Sequence, residues 1–144
     1  NLAPLPVELI YFNAAFNGKS IDIDWETASE INNDHFTLER SVDMKEFITI
    51  CMHIPSKAAG GNSTSILTYR LTDNNILPGI YYYRLKQTDF NGNYKYSNIE
   101  VVEINGINDF SFEIAHSRLK ASKIPLAPSP KVKLLNASYS NAAN

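Results

Sequence analysis

Cysteine is almost missing from this chain of 144 residues: there is one, Cys51. A single thiol excludes an internal disulfide and cannot supply the paired ligands of a structural zinc site. It lies in the extended run Phe47-Ile48-Thr49-Ile50-Cys51-Met52-His53-Ile54, where a small, semi-apolar side chain suits a strand. A catalytic thiol would also need a base to form thiolate. Net charge is scarce as well, with 13 basic side chains against 15 acidic ones and a sum of −2. There is no basic field to draw in nucleic acid or an anionic membrane. No stretch approaches the roughly 18 consecutive apolar residues that would span a bilayer. The opening Asn1-Leu2-Ala3-Pro4 has neither the basic start nor the apolar centre of a leader. A signal peptide is therefore expected outside this chain, which reads as a piece of a longer protein.

The signatures of catalysis are also missing. His35, His53 and His116 show no His-x-x-x-His spacing, so surface or strand roles are expected for them and no metal is assigned. No Gly-x-Ser-x-Gly elbow offers a serine nucleophile. Gly60-Gly61-Asn62-Ser63-Thr64 lacks the lysine that a phosphate loop requires and reads as a flexible loop. Asp22, Asp24 and Glu26 are successive outward members of one strand, about 7 Å apart by strand rise. Such separations occur in glycosidases, but nothing here desolvates one acid to raise its pKa, and a solvated face is expected. Asp89-Phe90-Asn91-Gly92-Asn93 resembles the start of a calcium loop, yet no bidentate acid follows at the required distance and a hairpin already explains it. The expectation is no enzyme, no cofactor, and no residue that can be named as catalytic, metal-binding or ligand-binding.

What the chain does have is alternation. Apolar residues make up 44%, enough for one core. In Ile21-Asp22-Ile23-Asp24-Trp25-Glu26 the three apolar side chains share one face and the three acids the other, the pattern of a half-buried strand. Val7 to Ala15 precedes it, entered through Pro4 and Pro6. Phe36 with Leu38 follows, then Ile48, Ile50, Met52 and Ile54, then Leu67, Tyr69 and Leu71, then Tyr81, Tyr83 and Leu85. A last strand covers Tyr94 to Ile104, and its change of phase near Ser97-Asn98 predicts a bulge. Asn91-Gly92 marks a tight type I′ hairpin, while Asn32-Asn33-Asp34 and Asp73-Asn74-Asn75 are turn clusters. Seven short strands without a confident helix predict an all-β, seven-stranded antiparallel β-sandwich over residues 7–104. Residues 1–6 read as a linker. Residues 105–144 read as a C-terminal extension: one further strand at Phe110 to Ile114, then a Pro-, Ser-, Ala- and Asn-rich tail of weak order.

Three pieces carry a family resemblance. Leu5-Pro6-Val7-Glu8-Leu9, the run Trp25-Glu26-Thr27-Ala28-Ser29-Glu30-Ile31-Asn32-Asn33-Asp34-His35-Phe36-Thr37-Leu38-Glu39-Arg40-Ser41, and Tyr82 to Gly92 with Tyr96-Ser97-Asn98-Ile99 together resemble a fibronectin type III-like (immunoglobulin-like) module. Such modules occur in secreted and surface proteins of Bacteroidetes, ahead of a type IX secretion C-terminal sorting domain. Leu126-Ala127-Pro128-Ser129-Pro130 only faintly echoes the start of that sorting domain, and the match is truncated. The resemblance implies a non-catalytic extracellular spacer or interaction module, secreted or at the cell surface, whose partners are neighbouring domains of a parent chain. It implies Trp25 as a core tryptophan. It also implies a tyrosine corner after Pro78-Gly79, in which alternation turns Tyr81 and Tyr83 inward while the spacing from Pro78 favours Tyr82. If the third and sixth strands pair, Thr37 and Glu39 lie beside Arg84 and Lys86. A protein or glycan ligand would be the other kind of partner. The competing function is a carbohydrate-binding accessory module of an exported hydrolase, which would show two or more coplanar tyrosines on an exposed face. A sandwich closed over Trp25 should leave no cavity for a reaction.

Overall fold

The computed structural model describes residues 7–106. The linker expected over residues 1–6, the strand at Phe110 to Ile114, the weakly ordered tail, the sorting-domain echo and His116 lie outside the described residues. The described residues form eight strands: β1 (Glu8–Phe16), β2 (Ile21–Ser29), β3 (Asn33–Ser41), β4 (Ile48–Pro55), β5 (Leu67–Asp73), β6 (Gly79–Asp89), β7 (Tyr94–Tyr96) and β8 (Glu100–Ile104). They form two antiparallel sheets, one ordered β1-β2-β5 and the other β4-β3-β6-β7 with β8 also on β6.

The expected seventh strand is thus two strands, for a local reason. From Lys86↔Tyr96 to Tyr83↔Glu100, β6 advances three residues while its partner advances four. The extra residue is the bulge that the phase change at Ser97-Asn98 predicts. The Ser97 hydroxyl stands in for the missing ladder group, accepting from the Leu85 amide at 2.9 Å and donating to the Asn98 carbonyl at 2.7 Å.

The inner face of β2 is built as its alternation dictates: Ile21, Ile23, Trp25 and Thr27 are all fully buried. They meet Phe36 and Leu38 of β3, Tyr81, Tyr83 and Leu85 of β6, and Val102 and Ile104 of β8 in one core shared by both sheets. Trp25 stacks face to face on Tyr69, ring centroids 5.0 Å apart, and meets Phe36 edge-on at 5.4 Å. Its buried Nε1 meets no acceptor, a cost of roughly 1–3 kcal/mol that those ring contacts must offset.

β4 departs from its reading. Between Arg40↔Ile48 and His35↔Pro55, β3 advances five residues and β4 seven. Two extra residues in β4 shift the side-chain phase twice, so Ile48 and Met52 face solvent while Ile50, Cys51 and Ile54 are partly buried against the core. The hairpin between β6 and β7 is also of another type than Asn91-Gly92 suggests. Asp89 donates to Asn93 and Gly92 to Asp89 across a three-residue loop, and only Gly92 has positive φ, at 86°. A turn closed by a left-handed glycine replaces the type I′ pair.

Candidate functional site

Four places on the described residues bring chemistry-bearing side chains together. At one end of β2 the turn into β3 folds Glu30 inward, and its side chain is fully buried. Thr27 and Tyr69 donate to Oε1 at 2.9 and 2.7 Å, and Asn33 and Ser56 to Oε2 at 2.8 and 2.5 Å. Gln87 supports Asn33 in turn at 3.2 Å. Tyr69 accepts from the Lys57 amide at 2.9 Å. Burial, reinforced by the bond to Glu30, holds the Tyr69 phenol well above its usual range. Every acceptor position of this carboxyl group is filled by a protein donor, so the cluster locks a turn and leaves no oxygen for a substrate.

At the other end of β2, Asp73 pairs with Arg40 at 2.6 Å and accepts from the Tyr83 hydroxyl at 2.8 Å. Arg40 also donates to the Asn75 carbonyl at 3.0 Å and lies 5.1 Å from the centre of the Tyr81 ring. Burial, together with Asp73, raises the Tyr83 phenol. Beside it Tyr81 donates to the Leu77 carbonyl at 2.7 Å and accepts from the Leu77 amide at 2.9 Å. The back-bonded phenol is therefore Tyr81. Tyr83 is inward as alternation indicates but serves Asp73, and Tyr82 is half-buried on the other face.

The outer face of the larger sheet carries a row of cations on rings. Thr37 stands opposite Lys86 and Glu39 opposite Arg84, the expected register. Arg84 bonds Glu39 at 2.7 Å and is sandwiched between Phe47 at 3.8 Å and Tyr96 at 3.9 Å, while Lys86 covers Tyr94 at 4.2 Å. Tyr94 and Tyr96 meet at 70°, edge to face. On the smaller sheet Asp22, Asp24 and Glu26 take long bonds of 3.3–3.4 Å from Thr72, Asn13 and Thr68, a solvated row as expected.

A cleft of about 440 Å³ opens where the start of β1 passes β6 and β7. It is lined by the apolar Val7, Leu9, Phe36 and Leu85 and by Glu8, Gln87, Lys95, Tyr96 and Ser97. The Ser97 hydroxyl, the one hydroxyl nucleophile in its lining besides the Tyr96 phenol, is already engaged as acceptor from the Leu85 amide and donor to the Asn98 carbonyl.

The fourth place was not visible in residue spacing. Asp34 and His35 on β3 meet His53 on β4, each offering a ligand atom within 4.8 Å of the others. The pairing of β3 with β4 closes 18 positions of sequence, which no local motif encodes. No described helix is long and apolar enough to cross a membrane. No family model, curated protein or solved structure matches the chain.

Proposed function

We propose that residues 7–104 are a fibronectin type III-like module acting as a non-catalytic spacer or interaction unit of a secreted or cell-surface bacterial protein, ahead of a type IX sorting domain. Several features support this reading beside the Trp25 to Ser41 motif. The third and sixth strands are partners in the larger sheet, a tryptophan of the second strand is sealed in the core, and a tyrosine phenol is bonded back to the chain four residues upstream.

The observation that carries the non-catalytic part is the saturation of the buried carboxyl groups. Among the described residues, both buried carboxyl groups spend their oxygens on protein donors, and the cleft's Ser97 hydroxyl is bonded on both sides. The outer tyrosines argue against a sugar platform, because Tyr94 and Tyr96 are perpendicular and each is covered by a cation. A glycan array and affinity electrophoresis on soluble polysaccharides test the choice. No retention is expected. Reproducible retention that is lost on Tyr94→Ala or Tyr96→Ala would replace the spacer with a carbohydrate-binding module.

A further inference from the structure

We infer that Asp34, His35 and His53 form a binding site for one divalent transition-metal ion of the zinc class, set on the pairing of β3 with the edge strand β4. His35 Nδ1 lies 2.9 Å from Asp34 Oδ2. That contact is a hydrogen bond between the two side chains; two ligands bound at 2.0–2.1 Å about a tetrahedral ion stand roughly 3.3 Å apart, so a shift of a few tenths of an ångström brings the pair to the spacing of neighbouring positions on one ion. The His53 ring lies over His35 with centroids 4.0 Å apart and planes 20° from parallel. Its nitrogen comes within reach of both other ligand atoms. His35 is the anchored member, its side chain 15% exposed, whereas His53 is exposed and has the freedom to tilt its ring toward a shared ion.

The way His53 reaches this position is independent support. One of the two extra residues of β4 falls between Leu38↔Cys51 and Phe36↔Ile54, and His53 there adopts φ 59°. A bulge of this kind ordinarily places glycine in the left-handed conformation. A histidine there carries a conformational cost and gains no burial in return. What it gains is a position over His35. Backbone strain of this sort concentrates at binding sites.

The donor set selects the ion. Two imidazoles and one carboxylate suit zinc, copper(II) or nickel, whereas calcium and magnesium prefer all-oxygen shells. Three protein ligands leave the remaining positions to water, and the ion would tie the outermost strand to its neighbour. The site does not depend on the spacer reading and would hold equally in a sugar-binding module.

The test is a titration of chelator-treated protein with zinc sulfate, followed by calorimetry and by the thermal midpoint. One ion per chain and a rise in the midpoint are expected, with no response to calcium at the same concentration. His53→Gly separates metal binding from folding. Glycine accepts the left-handed φ, so the metal-free variant should melt no lower than the parent, yet bind zinc at least about tenfold more weakly and lose the zinc-dependent rise. Asp34→Asn should weaken binding by a similar factor, and His116→Ala should leave it unchanged. The assignment is overturned if zinc at millimolar concentration leaves the parent's midpoint unmoved. It is equally overturned if His53→Gly keeps the parent's affinity, or if His116→Ala is the variant that loses it.

Discussion

The two ends of β2 each bury a carboxyl group beside a tyrosine, and they do it by different means. Glu30 is held by four uncharged donors, Thr27, Asn33, Ser56 and Tyr69, drawn from four separate parts of the chain. Asp73 is held by one guanidinium, a phenol and the Asn75 amide, which donates to Oδ1 at 3.1 Å. The first arrangement distributes the task among groups that are individually weak but have no other partner of equal quality. The second concentrates it in Arg40, which keeps the Asn75 carbonyl and the Tyr81 ring when its acid is taken away. A buried acid with neutral donors is therefore the more fragile design, because its removal strands every donor at once.

The comparison can be broken most directly at Glu30. Replacing Glu30 with Ala should cost about 4 kcal/mol, the sum of several buried donors left unpaired, and urea unfolding at neutral pH measures it. A loss smaller than that of Asp73→Leu would refute the ranking. Asp73→Leu should cost about 3 kcal/mol by leaving Arg40 without its acid, and adding Arg40→Met should recover much of it, as for other buried pairs replaced by apolar groups. No such rescue exists for Glu30. Gly61 packs on the Asn33 backbone and the Phe90 ring with φ 76°, whereas Gly60, at φ 61°, faces open space. Gly61→Ala is thus expected to cost about 2 kcal/mol and Gly60→Ala about 1 kcal/mol, because only the first adds a clash to the strained φ. At the Asp73 end, Tyr81→Phe removes both bonds to Leu77 and should cost roughly 1–1.5 kcal/mol, read as a lower melting temperature.

The smallest effect at neutral pH is shared by the two ends. Tyr69 and Tyr83 are both raised, chiefly by burial and then by their carboxyl partners. A phenol whose folded pKa exceeds its unfolded value of about 10 stabilises the fold fully below that value. The contribution then falls away as pH rises toward the folded pKa. Stability should therefore be level with respect to these two phenols through neutral pH and decline above about pH 10. Absorbance at 295 nm should show two tyrosines that ionise only with unfolding. Full titration of all eight tyrosines in the folded protein would contradict the buried geometry.

Alternation made β2 legible from the sequence, because Ile21, Ile23 and Trp25 permit one burial pattern only. The charge pairing of Glu39 with Arg84 followed from strand order, and the bulge at Ser97 from a phase slip written in the side chains. The rest needed three dimensions. Glu30 stands just past the end of an alternating run, where a polar residue in a turn gives no sign of burial. Its donors Ser56 and Tyr69 lie 26 and 39 residues away. In β4 the two insertions scramble period 2, so alternation places Met52 in a core it does not join and gives no sign that His53 meets His35. The hairpin turn type depended on the φ of Asn91, which the dipeptide alone does not fix.

β4 is the outer rim of its sheet, and Ile48 and Met52 make that rim greasy. A straight, regular rim of this composition would be an open invitation to a second copy, since its unused amides and carbonyls are a template for endless edge-to-edge growth. The two inserted residues deny that template a continuous register. The kinked margin thereby withholds from a greasy edge the straight backbone on which fibres are seeded.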